Sequence, residues 1–354
     1  MSNMILEQTA DDHFHAGNRS VTESGSGIGS KAVTGSGSDT GSKAVTGNRA
    51  GTGSEAVTGS GSGMGSEAVA GKTLGTEAAL KTENEQKSGN RCRINNKIHK
   101  VFQTPNGKAF IGFITAGDPT ADTTVNCILE MERAGADLIE IGIPFSDPTA
   151  EGVVIQEANI RALKGGMTTD GAFDIVRRIR EKSQIPLAFM TYANPVFHYG
   201  YDRFFARCEE LGVDAIIIPD LPFEEKQEME EPANAHNVAL ISMIAPTSES
   251  RIREIASEAK GFIYVVSSMG VTGVRSEIKT DVSAIIESIR RVTDVPCAVG
   301  FGISTPEQAK RMAAVSDGAI VGSAIVKIVA QYGENAPAKV YEYVKSMKEA
   351  VLQI

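Results

Sequence analysis

From residue 109 onward the chain alternates short, mostly β-branched apolar runs with longer stretches whose apolar residues recur every three or four positions, and it does so eight times. The short runs read as strands and the periodic stretches as helices. Strands are predicted over 109–115, 138–143, 185–192, 214–219, 238–244, 262–267, 295–299 and 319–321. Helices are predicted over 120–134, 153–164, 169–182, 200–211, 223–236, 248–259, 282–289, from 304 onward, and over 336–352. A short extra helix opens at Gly322-Ser323, and an amphipathic helix over 93–103 is placed as a lid on the barrel bottom. Regular alternation of this kind builds a parallel sheet with helices outside it. Eight units without a central reversal favour an α/β chain closed into a (β/α)8, or TIM, barrel, and residues 93–354 supply roughly the ~250 residues that such a barrel needs.

The first 92 residues are of another kind. Gly29-Ser-Lys-Ala-Val-Thr34 recurs at Gly41, Gly53 and Gly65, a period of 12, and each copy offers one Val as its large apolar residue. So little apolar surface cannot offset the entropy of ordering the chain, and a disordered, low-complexity N-terminal tail is expected over 1–92. The net charge of −9 leaves no basic stripe for nucleic acid. The four cysteines, Cys92, Cys127, Cys208 and Cys297, are too widely spaced for a zinc site or a disulfide framework, which fits a reducing cytoplasm. No apolar run is long enough to cross a membrane, and no secretory leader is recognisable.

Chemistry is concentrated where the predicted strand 138–143 ends. Glu140 interrupts an apolar run, between Ile139 and Ile141, and a carboxylate there is costly to bury unless it is used. Pro144 then breaks the strand into a loop that carries Asp147, Pro148 and Glu151. An acid at a strand end followed by an acidic loop is how barrel enzymes present catalytic groups at their C-terminal rim. Glycines mark the loops after the last three strands: Gly270 and Gly273, Gly300 and Gly302, and Gly322 with Ser323. Backbone amides at such turns, and at the helix N-terminus opening at Gly322-Ser323, suit a phosphate group.

These stretches resemble the tryptophan synthase alpha chain family, an indole-3-glycerol phosphate lyase family. The resemblance lies in Leu138-Ile-Glu-Ile-Gly-Ile-Pro-Phe-Ser-Asp147, Thr191-Tyr-Ala-Asn194, Gly270-Val-Thr-Gly273, Gly300-Phe-Gly-Ile-Ser304 and Gly322-Ser-Ala-Ile-Val326, which follow one another in family order. It covers nearly all of 93–354 and implies retro-aldol cleavage of indole-3-glycerol phosphate to indole and glyceraldehyde 3-phosphate, without a metal or organic cofactor. Glu140 is then the acid–base group. Glu151 stands where the family usually has Asp, in Ala150-Glu-Gly-Val153 rather than Ala-Asp-Gly-Pro, and accepts the indole N–H. Tyr264 matches an active-site tyrosine. Phe113, Met190, Tyr192 and Phe301 are expected as apolar walls, and Thr272, Gly273, Gly302, Gly322 and Ser323 as further substrate contacts. Pro144, Asp147 and Pro148 match a surface that docks a β chain in an α2β2 heterotetramer, and Thr272 couples to Asp147 on closure.

Three alternatives bear on the same residues. A barrel synthase that makes the indole ring wants a lysine at a strand end, and the first six predicted strands have none. A free-standing indole-producing lyase would use the same residues without a partner. A weakly catalytic activator of the β chain would be consistent with the departures at Glu151 and Val153.

Overall fold

The computed structural model describes residues 94–267 and 281–354. Its nine strands are β1 (Ala109–Thr115), β2 (Leu138–Gly142), β3 (Leu187–Met190), β4 (Ala215–Ile217), β5 (Ala239–Leu240), β6 (Ser242–Ile244), β7 (Ile263–Val266), β8 (Cys297–Gly300) and β9 (Gly318–Val321). They pair in the order β5-β4-β3-β2-β1-β9-β8-β7-β6, and every ladder among the described residues is parallel. The two ends of that order, β5 and β6, are consecutive in the chain and flank Ile241, so the sheet closes on itself as a TIM barrel.

The single strand expected over 238–244 is thus divided. Its first part pairs with β4, Ala215 facing Ala239, and its second with β7, Met243 facing Tyr264. Strands in a barrel are tilted and staggered, so one strand exchanges neighbours along its length. Ile241 sits at the exchange, its N–H donating to Ile216 O at 2.9 Å.

Alternation along the strands divides the core in two. Ile111, Leu138, Ala188, Ile217, Phe262, Ala298 and Ile320 pack inside the barrel, whereas Phe110, Ile114, Ile139, Ile141 and Phe189 pack outward with the helices. The barrel bottom is closed by Ile98 and Val101, which are buried with the inner cluster. The helix expected over 93–103 is only a 3-10 turn, Lys97–Lys100. Local bonds compete with the helix there. Asn96 caps Ile98 N, its amide also reaches the carbonyls of Asp214 and Asn237, and Lys97 N–H donates to Asp214.

Three carboxylates stitch this same face. Asp137, Asp214 and Asp317 each precede a strand and accept the N–H that begins, or comes just inside, the preceding neighbour strand: Phe110 at 2.6 Å, Leu187 at 3.1 Å and Cys297 at 2.7 Å. Each also meets a cation. Lys348 lies 2.6 Å from Asp137, Lys97 and Arg180 lie 3.6 and 3.7 Å from Asp214, and Arg290 pairs with Asp317.

Elsewhere the helices follow the sequence with local changes. The stretch after β3 forms two helices, Ala193–Tyr199 and Tyr201–Leu211, where one over 200–211 was expected. Pro195 hides the first of them, although proline is tolerated in a first turn. The segment 223–236 is a 3-10 turn, Phe223–Glu225, followed by the helix Gln227–Ala235. Among the described residues no helix is long and apolar enough to cross a membrane.

Candidate active site

Parallel pairing sets the surroundings of Glu140. On β2 its neighbours across the ladders are Phe113 of β1 and Ala188 of β3. Ile139 and Ile141, which flank it in sequence, point the other way, into the helix-facing core. The apolar setting expected from those isoleucines therefore comes from other strands. Small Ala188 leaves space beside the carboxyl, and Gly142 admits the Phe113 ring: a Cβ at Gly142 would lie 2.6 Å from Phe113 Cζ. Gly300 does the same for Tyr264, since a Cβ there would overlap the Tyr264 hydroxyl.

Glu140 is completely buried, and neither carboxyl oxygen has a hydrogen-bond partner among the described residues. Burial without a partner penalises the charged form and pushes its pKa up to about 8. A carboxyl at that value can both give and take a proton near neutrality. Burial, and after it the Glu140 carboxylate, hold the Tyr264 phenol well above its ordinary range.

Glu140 opens into a cavity at the C-terminal rim, between the acidic loop and the turn after β8. It brings together nine of the residues singled out in the sequence: Glu140, Glu151, Tyr264, Phe113, Met190, Phe301, Gly302, Gly322 and Ser323. Phe301 stands edge-on to Tyr264, with ring centroids 6.1 Å apart. Phe301 and Gly302 both have positive φ, +75° and +76°, and the Ser267 hydroxyl pins the turn by donating to Phe301 O at 2.7 Å. A non-glycine residue in that region is strained, as residues at functional sites often are. Gly322 precedes the helix Ser323–Tyr332, whose first turn has no side-chain cap.

Glu151 reaches the cavity from the acidic loop. Burial pushes it up to about 7, against hydrogen bonds from Tyr192 and Asn159 that favour its ionised form. Tyr192 is not a cavity wall. It is 2% exposed, beneath the acidic loop, where its hydroxyl accepts Ala150 N–H at 3.2 Å and its ring lies 5.4 Å from that of Phe145. A strand-end aromatic has two faces to choose from, and the loop that returns over β3 decides which is covered.

Of the expected docking residues, Asp147 is exposed and accepts the Ser146 hydroxyl, Pro148 is half-buried and Pro144 is buried. Thr272 and Gly273 lie outside the described residues. Sequence reading missed Ala150, Ile155, Pro219, Met243, Ile303 and Ile320 as lining residues. Pro219 and Met243 sit at strand ends that the periodicity had located. Ile320 lies on β9, whereas Ala150, Ile155 and Ile303 come from the loop, helix and turn that follow strands. It also missed the pairing of buried Asp118 with half-buried Arg161, joined by two bonds of 2.8 Å, which ties the loop after β1 to the helix Val153–Lys164.

Fold and site together define a TIM-barrel enzyme with a buried carboxylic acid, unpaired among the described residues, facing a cavity at the C-terminal rim. Comparison with known proteins narrows this. Residues 100–352 match the family model described as tryptophan synthase alpha chain. The tryptophan synthase alpha chain of Lacticaseibacillus casei is 48% identical over 255 residues, which are 72% of this chain and 95% of that one. The solved alpha subunit from Legionella pneumophila str. Paris superposes with a TM-score of 0.68 at 34% identity, covering 73% of this chain and all of that one. A chain of the tryptophan synthase α2β2 complex of Pyrococcus furiosus, a system of mutual activation, superposes with a TM-score of 0.64 at 36% identity, covering 68% of this chain and 98% of that one. The chain belongs to the tryptophan synthase alpha chain family.

Proposed function

We propose that this chain is the α subunit of a tryptophan synthase and cleaves indole-3-glycerol phosphate to indole and glyceraldehyde 3-phosphate, and that residues 93–354 are its catalytic domain, with 1–92 outside it. The observation that carries the reading is Glu140: wholly buried, unpaired among the described residues, held near neutrality and facing the rim cavity.

The reaction moves one proton from oxygen to carbon and breaks one carbon–carbon bond. Protonating indole C3 makes the ring an electron sink. The side-chain hydroxyl next to C3 loses its proton and becomes the aldehyde, and the bonding pair returns to the ring to restore indole. One carboxyl serves both ends of this exchange if it starts protonated, which is the form that burial favours for Glu140. Glu151, ionised, accepts the indole N–H and stabilises the positive charge that develops on that nitrogen. Tyr264 fixes the acid's surroundings, Phe113, Met190 and Phe301 wall the ring, and Gly302, Gly322 and Ser323 receive the phosphate. Thr272 and Gly273 complete the site on closure. No cofactor enters this scheme.

The exposed acidic loop with Asp147 and Pro148, and the buried Pro144 at its base, serve the β chain of an α2β2 heterotetramer in the cytoplasm. The likeness to a chain of the Pyrococcus furiosus complex supports that part of the reading. The test is indole release from indole-3-glycerol phosphate by the purified chain, alone and with β chain added. Slow release alone and a large increase with the partner is the expected result. Equal, fast release in both would make it a free-standing lyase, and no release from folded protein in either would make it a non-catalytic activator.

A further inference from the structure

The second carboxylate is held by a device of its own. A glutamate reaches one carbon–carbon bond farther than an aspartate, roughly 1.5 Å, and it has one more rotor to fix. Left to itself on a loop it would not stay in one place.

Asn159 supplies the fixed point. It is 4% exposed, on the helix Val153–Lys164 that follows the loop, and its amide donates to Glu151 Oε2 at 2.6 Å. That helix is itself tied to the loop after β1 by Arg161 and Asp118. From the other side Tyr192 hydrogen-bonds the same carboxylate while accepting Ala150 N–H. Gln156, one turn into the helix, donates to the Glu151 carbonyl at 2.7 Å. Side chain and backbone of Glu151 are thus anchored separately.

We propose that Asn159, acting with Tyr192, is a positioning residue that keeps the Glu151 carboxylate ionised and presented to the cavity, so that a glutamate can bind the substrate's ring N–H at this place. The inference rests on the reading of the site given above. The groups around Glu151 make the amide matter. Its titratable neighbours are Tyr192, with Asp220 beyond it, and Glu140 and Tyr264, which share the cavity. Among the described residues none that lines the cavity is a cation. With no positive charge among them, neutral donors are what oppose the cost of burying the carboxylate.

The test is the pH dependence of indole release by the full-length chain with β chain present, for the wild type, N159A, E151D, E151D/N159A and the length-exchanged pair E151D/N159Q. Loss of the amide removes a bond made to the ionised form, so the acidic limb of kcat/KM moves to higher pH in N159A. At neutral pH kcat falls roughly tenfold, the scale of one hydrogen bond to a charged group, with KM little changed. An aspartate does not reach the amide, so N159A adds little to E151D, whereas N159Q, one carbon longer, recovers part of the loss. Titrating the Glu151 carboxyl by carbon-13 NMR gives the same shift without reference to turnover.

A loss in N159A that is equal at every pH, or additive with E151D, would overturn the proposal, as would an unmoved carboxyl titration. Should N159A fail to fold, the comparison of E151D with E151D/N159Q decides: no recovery overturns it. A wild type that releases no indole would overturn the parent reading, and the NMR titration would still report on Asn159 by itself.

Discussion

Asp137 stands just before β2 and Glu140 three residues on, midway along it, and they end in opposite conditions. At the N-terminal face Asp137, like Asp214 and Asp317, is met by a cation and by a backbone N–H. At the C-terminal face Glu140, fully buried as Asp214 nearly is, meets neither among the described residues. Burial raises the pKa of both Asp137 and Glu140, but for Asp137 the Lys348 ammonium and the Phe110 N–H pull against it. Burial alone therefore does not separate the two kinds of acid. The partner decides: a paired acid holds strands together, and an unpaired one keeps its proton available.

The strongest way to break this comparison is E140Q. Indole release should fall by roughly a thousandfold, the scale of a lost general acid–base group, while the folded state gains stability. The sign follows from the raised value. Glu140 is neutral in both folded and unfolded chains below the ordinary carboxyl range. As pH rises from about 4.5 toward about 8, the unfolded chain ionises while the folded one does not, and stability is lost over that window. Glutamine escapes the penalty, so the difference in urea midpoint between E140Q and wild type should be near zero at pH 4, and should grow to the order of 3 kcal/mol by pH 7. No gain at pH 7 would mean that Glu140 has a partner after all.

D214A should do the reverse. It leaves Lys97, Arg180 and two backbone N–H groups without their acceptor and should cost about 3 kcal/mol in denaturant unfolding. Turnover of the folded fraction should stay near wild type, because Asp214 lies at the face away from the cavity. K348M is the milder version, about 2 kcal/mol, since Asp137 keeps the Phe110 N–H. Its cost should increase as pH rises above the ordinary carboxyl range, where Asp137 must ionise without its ammonium. T305A sharpens the comparison from the catalytic side. Thr305 and Gln308 form a reciprocal cap on the helix Pro306–Val315, just beyond the cavity wall at Ile303. Its loss should cost about 1 kcal/mol and leave turnover alone, since a satisfied polar group at that face is structural too.

The sequence carried the barrel because periodicity is local: each strand or helix announces itself within a dozen residues. It did not carry the division at Ile241, which depends on which strand lies on either side. Nor did it carry the helix Ala193–Tyr199, where Pro195 reads as a stop although it falls in a first turn. The site was legible in the same measure. Glu140 stood out because an acid inside an apolar run is conspicuous, but its setting is made by Phe113 and Ala188 from neighbouring strands rather than by Ile139 and Ile141. Tyr192 was legible as a strand-end aromatic and not as a support for the acidic loop. Asn159 looked like any polar residue on an amphipathic helix, because only the folded loop brings Glu151 to it.

The division at Ile241 lets one stretch of chain serve two partners without a gap in the ring. β5 pairs with β4 and β6 with β7, and Ile241 N–H still donates to Ile216 O where the neighbours change. Met243, two residues on, is part of the cavity wall and has a flexible side chain. The strand is thus a splice through which two neighbours and one wall of the cavity are joined, and amide exchange at Ile241 and Ser242 should report on all three.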